Sequence, residues 1–306
     1  MMRVLIIGLL AGLFTVTSVA ADRAAYVDLA RKGWNYQLRT TMLGRDMSIP
    51  IHIHGRDLAG ASLCVVGEKP HPKSLETIDA FRALSRHVFG KPIPMRYAGY
   101  DASGCGSGRT VILRLYSGHP PNQALSADLG WMNQIYQLGL PRERFYTASS
   151  PAMAQTFFGR RGRATHIMVK QPAMNNPGRL ERAFYKSILV EELFQSFTFG
   201  MDILIFDRAA PFQSKLQETP LNVQRFAWES RDFMRALLAS NPGGLCAFDV
   251  FMMHAVAQTQ VDQTIEPGFI EYIDREYETL LAQATATMTD DRFSAIVEPL
   301  CLRAPI

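Results

Sequence analysis

The chain has 306 residues, of which 47% are hydrophobic and 20% charged, and its formal net charge is +4. That composition excludes a disordered or low-complexity chain. The small positive excess also excludes a strongly basic nucleic-acid binder, and the length suits one large domain or two small ones.

Residues 1–21 read as a signal peptide. Arg3 supplies a positive start, Val4 to Phe14 is uncharged and apolar, and Ser18 to Ala21 offers small residues for cleavage. The apolar run is shorter than the roughly 20 residues that span a bilayer, so no anchor is expected to remain in the mature chain. The expected location is periplasmic or secreted. Residues 22–306 then read as a single α+β domain, sheet-rich over about 22–118 and helix-rich over about 119–306. All four cysteines lie there, and an even count in an exported chain points to disulfides. Of the three pairings, Cys64–Cys105 and Cys246–Cys301 are favoured because each staples one half of the chain to itself.

In chain order, Ala24 to Leu38 reads as a helix, and Ser48 to Ile53 and Ser62 to Val66 as strands. Leu75, Ile78, Phe81, Leu84 and Val88 recur at helical spacing up to Gly90. Met95 to Ala98 and Thr110 to Leu115 read as strands, with a Gly- and Ser-rich loop between them that holds Cys105. Arg163 to Lys170 is a further strand. Asn176-Pro177 is expected to open a long helix that Gly200 ends, with Asn as cap and Pro in the first turn. Thr219-Pro220 opens another helix, ending at Asn241. Ala247 to Gln258, Gly268 to Ala284 and Asp290 to Val297 complete the set. The expected fold is a mixed sheet packed on helices.

The stretch Ile188 to Phe197 is apolar almost all round, the mark of a buried helix. Glu191, Glu192 and Gln195 interrupt it. Glu191 and Gln195 stand at i,i+4 on one face, and Glu192 at i,i+3 from Gln195. Neighbouring carboxylates in a half-buried place need pairing, protonation or a metal, and general acids, bases and ligands are drawn from such groups. The plain alternative is a stripe facing water.

Glu191-Glu192-Leu193-Phe194-Gln195-Ser196-Phe197, with Asp202 after it, resembles the hallmark of a family of secreted bacterial proteins, domain-of-unknown-function family 2927. The string is also similar to the zincin metallopeptidase helix, His-Glu-x-x-His, with both histidines replaced. The resemblance covers about Ile167 to Asp202, with a looser echo over Leu245 to Pro267 that includes Asp249. It implies a zincin-like arrangement with Arg163 to Lys170 as the rim of a groove. Glu191 and Gln195 then stand at the ligand positions and Glu192 at the general base. Glutamate and a neutral amide make a poor zinc pair, so no cofactor is expected beyond a weakly held divalent metal. Glu191, Gln195 and His166 are the candidates for such an ion.

His52 and His54 share a face of an expected strand, more simply an exposed face than a metal pair. His254 reads as a core histidine, Phe157 and Phe158 as core, and Arg160, Arg161 and Arg163 as a solvated turn. The expected function is a non-catalytic, peptidase-like pseudo-peptidase of the cell envelope. It would bind a peptide or protein partner at Glu191, Glu192, Gln195 and Asp202, and no nucleic acid. The alternative is a metal-dependent hydrolase with Glu192 as base. The plainest possibility is a structural cluster in which Glu191 pairs with a cation.

Overall fold

A computed structural model describes residues 22–36, 51–228, 230–298 and 301. The expected signal peptide lies outside these residues, as does Ser48 to Pro50 of the first expected strand. The fold is α+β. Its centre is a five-stranded mixed sheet of β1 (Ser62–Gly67), β2 (Met95–Tyr97), β3 (Thr110–Tyr116), β4 (Ala152–Gly159) and β5 (Gly162–Lys170). The order is β2-β1-β3-β5-β4; all neighbours are parallel except β4, which runs antiparallel to β5 at one edge.

Strands covered on both faces are apolar at successive positions, and β3 is buried throughout. Its alternation sends Val111, Leu113 and Leu115 to one face and Ile112 and Tyr116 to the other. The second face packs on α3 (Asn122–Tyr136). The first packs on α2 (Pro72–Phe89) and α4 (Arg179–Thr198), and behind them lie α6 (Ala247–Gln258) and α8 (Tyr277–Met288). Helix α1, residues 22–34, lies against this helical layer, where Tyr26 stacks edge-on with Phe248 and Phe251. Among the described residues no helix is long and apolar enough to cross a membrane. Cys64–Cys105 and Cys246–Cys301 are both at disulfide distance, as expected from each half stapling itself.

Several boundaries differ from the sequence expectation. Ile51 to Ile53 belong to no strand, and His54 instead caps a short 3-10 turn through Nδ1. Strand β4 was not foreseen; its mixed Ala, Gln and Thr pattern hides the alternation. Helix α4 starts after Gly178, whose N–H is capped by Glu181, so Asn176-Pro177 precedes it. Pro220 opens no helix: α5 (Arg231–Ser240) begins where Ser230 Oγ accepts the Phe233 N–H. Gly268 to Ala284 is split at Glu276 between α7 (Pro267–Arg275) and α8, and of Asp290 to Val297 only a 3-10 turn at Asp291–Phe293 is helical.

Candidate functional site

Helix α4 ends under the edge of the sheet, and its end is tied down from two sides. Phe199, at φ 59°, takes the left-handed position expected of a glycine, and its N–H bonds the Gln195 carbonyl. Trp34 Nε1 donates to the Thr198 carbonyl at 2.9 Å and Tyr36 Oη to the Phe199 carbonyl at 2.6 Å. Gly200 is needed for contact rather than conformation. A Cβ there would stand 2.6 Å from Leu216 Cδ1 and 2.7 Å from Trp34 Cζ2. Satisfied carbonyls and a full wall hold the last two turns of α4 in one position.

Those turns carry Glu191, Glu192 and Gln195 into a cavity of about 330 Å³. Asp202 and Glu218 join them, the latter from β7 (Gln217–Glu218), which pairs with β6 (Ile203–Leu204). Ala152, Met153 and Ala154 of β4 form the opposite side. A second cavity of about 240 Å³ continues past Gln195, and the two share Ala154 and Gln195. The groove therefore runs between α4 and the edge strand. Its rim is β4, not the expected Arg163 to Lys170, because β4 caps β5 and makes β5 internal.

The edge of β4 is open in a specific way. Lys170 N–H bonds the Pro151 carbonyl, which makes that a hydrogen-bonded pair of the antiparallel ladder. Bonded pairs alternate, so Met153, Gln155 and Phe157 point their backbone groups toward β5. Ala154 and Thr156 point theirs outward, and among the described residues no backbone group pairs with them.

Glu191 is committed to protein partners. Its Oε1 accepts from Asn241 Nδ2 at 2.8 Å, and its Oε2 lies 3.2 Å from Lys215 Nζ. Lys215 is fully buried and also donates to Ser187 Oγ at 2.9 Å, to the Pro242 carbonyl at 2.6 Å and to Asn241 Oδ1. Gln195 Nε2 donates to Asp202. Glu192 is different. It is 8% exposed, and among the described residues its Oε2 has no hydrogen-bond partner. Burial, then Glu191 and Asp202, push its carboxyl well above the usual glutamate range. Asp202 is exposed at the mouth of the groove, yet the atoms packed round its carboxyl, then Glu191 and Glu218, push it up to about 7. Burial and Glu191 also raise Glu218. The site is thus a crowd of acids with one buried cation behind it. Among the described residues no three acidic, histidine or cysteine side chains have metal-holding spacing.

A scan against protein-family models and searches of curated proteins and of solved structures found no match.

His166 does not reach this site. The β5 alternation sends it to the α3 face, where Nε2 bonds Asp128 Oδ2 at 2.9 Å. Arg114 holds the same carboxylate through Nε at 2.6 Å and Nη2 at 2.7 Å. Burial alone would raise Asp128; the bonds from His166 and Arg114 outweigh it and hold the carboxyl below its usual range. His52 and His54 lie away from the acids: His54 Nδ1 accepts the Arg56 N–H, and the His52 carbonyl receives Arg163 Nη1. Arg160 and Arg161 form the β4–β5 turn, and Arg163 pairs with Asp57 at 2.8 Å. His254 is buried and shares a hydrogen bond with Thr287; Phe157 and Phe158 are buried as expected. Asp249 caps α6 through the Cys246 N–H at 2.7 Å. Lys215, Glu218 and Asn241 were missed from the sequence. Lys215 sits in a polar stretch with no pattern that marks a buried cation.

Proposed function

We propose that this chain is an exported cell-envelope protein with a peptidase-like groove that no longer hydrolyses, and that the groove holds an extended peptide or a segment of a partner protein. The resemblance to domain-of-unknown-function family 2927 and to the zincin helix belongs to this reading, as does the leader at residues 1–21. The two disulfides support an oxidising compartment. The observation that carries the reading is the placement of Glu191, Glu192 and Gln195 in a cavity beneath the open edge of β4. An edge with outward N–H and C=O groups accepts one more strand, and pockets along it sort the side chains.

The side chains at the two zincin ligand positions support loss of catalysis. Both oxygens of Glu191 are occupied by Asn241 and Lys215, and the Gln195 amide is bonded to Asp202. A second reading, hydrolysis with Glu192 as general base, draws on the free Oε2 and the raised carboxyl of Glu192.

One experiment separates them. Mature protein is mixed with labelled unstructured peptides, with and without added zinc or calcium, and both binding and cleavage are followed. Reversible binding without turnover supports the first reading, and Ala154→Pro, which removes an outward N–H at an edge that tolerates proline, should weaken it. Chelator-sensitive cleavage abolished by Glu192→Gln establishes the second and overturns the first.

A further inference from the structure

Among the described residues the acids of the groove lack a full counterpart. Glu191, Glu192, Asp202 and Glu218 all line one cavity. The cation packed against them is Lys215, which is fully buried and bonded to Ser187, Asn241 and the Pro242 carbonyl as well as to Glu191. It neutralises Glu191 from behind and leaves Glu192, Asp202 and Glu218 with no cation of their own among the described residues. Helix α5 contributes Leu237, Leu238 and Ser240, and β4 contributes Ala152, Met153 and Ala154, so no other charge faces the acids from these elements. The buried Oε2 of Glu192 is the second observation: buried acceptors are nearly always bonded, this one has no partner among the described residues, and the side chain that carries it lines the cavity.

We propose that this cavity receives the cationic side chain of a lysine or arginine carried by the peptide bound along β4. The inference rests on the groove reading and names the kind of peptide it takes. An ammonium offers three N–H donors and a guanidinium five, so either satisfies acceptors that do not converge on one point. The walls suit the stem of such a residue: Phe184, Ile188 and Leu237 line the same cavity, and a long aliphatic chain covers apolar surface while its head stays polar. Arrival of a positive charge favours the ionised carboxylates and releases protons from Glu192 and Asp202.

The test uses the mature full chain and three blocked, fluorescein-labelled hexapeptides, alike except for arginine, lysine or norleucine at the centre. Fluorescence anisotropy should show the two cationic peptides binding at least about tenfold more tightly than the norleucine peptide, as expected for hydrogen bonds between charged groups. Affinity for the cationic pair should rise from one pH unit below about 7 to one above it, while the norleucine peptide stays constant. Glu218→Gln, at a half-buried position that spares the core, should shrink the difference, and Ala154→Pro should weaken all three alike. Equal affinities for the three peptides, all weakened by Ala154→Pro, overturn the cation pocket and leave the groove standing. Absence of binding by every peptide overturns both. A cation preference untouched by Ala154→Pro keeps the acid pocket and overturns pairing along β4.

Discussion

Glu192→Gln is the sharpest probe of the site, because the substitution keeps the shape of the side chain and removes only its charge. Well below the usual glutamate value of 4.5, Glu192 is protonated in both the folded and the unfolded chain and contributes no pH dependence. As pH rises above it, the unfolded chain loses this proton while the folded chain keeps it, because Glu192 is 8% exposed beside Glu191 and Asp202. The folded state then binds more protons, so stability falls with rising pH by up to about 1.4 kcal/mol per unit. That loss stops once the folded carboxyl ionises. The variant lacks this slope, although an amide with no partner adds a constant offset of roughly 1–3 kcal/mol at every pH. Urea unfolding followed by tryptophan fluorescence, repeated between pH about 4.5 and about 7, reads both terms. Asp202 titrates in wild type and variant alike, so the difference between the two curves isolates Glu192. Parallel curves would show that the carboxylate has a compensating partner, and the account of an unpaired acid in the groove would be wrong.

Lys215→Met strips a fully buried cation from Glu191 and empties the bonds to Ser187, Asn241 and Pro242; denaturant unfolding should register a loss of about 3–5 kcal/mol. A loss under about 1 kcal/mol would mean that the pair contributes little. Asp128→Asn weakens the buried Arg114 and His166 contacts on the far face and should cost a similar amount without altering peptide binding at the groove. Because the folded Asp128 carboxyl sits below its usual range, its contribution is present above about pH 3.8 and is lost as pH falls below it. The acid limb of the variant's stability curve should therefore be shallower than that of the wild type. Replacing Cys64 and Cys105 by alanine opens a loop of sequence separation 41 and should lower stability by about 4 kcal/mol, measured by thermal or urea unfolding; an unchanged midpoint would refute the loop-entropy argument.

Local pattern made the sheet's parallel strands and the body of α4 readable, because a buried parallel strand and a helix apolar all round leave dense, regular signatures. The disulfide partners followed from proximity in the chain. Strand β4 stayed hidden because half of its residues are only partly buried, so Ala, Gln and Thr replace a clean alternation. The start of α4 misled for a different reason. Asn176-Pro177 carries two good helix-opening residues, yet the Glu181 side chain reaches the Gly178 N–H and fixes the first turn there. The destination of His166 required knowing the sheet, since the parity of its position on β5 selects the face. Lys215 and Glu218 come from a stretch far along the chain, and tertiary packing alone brings them to Glu191. Glu191, Glu192 and Asp202 were legible in the sequence; Glu218 and the cation that balances Glu191 were not.

An unclosed strand invites a second copy of itself as readily as it invites a guest, and self-pairing is the usual beginning of aggregation. Here the strand that carries the outward N–H groups of Ala154 and Thr156 looks across at acidic side chains. Two molecules that approached edge to edge would bring their acids together and repel. The charge that draws in a basic ligand thus also keeps the protein apart from its own kind, and weakening it by Glu218→Gln should lower solubility as well as selectivity.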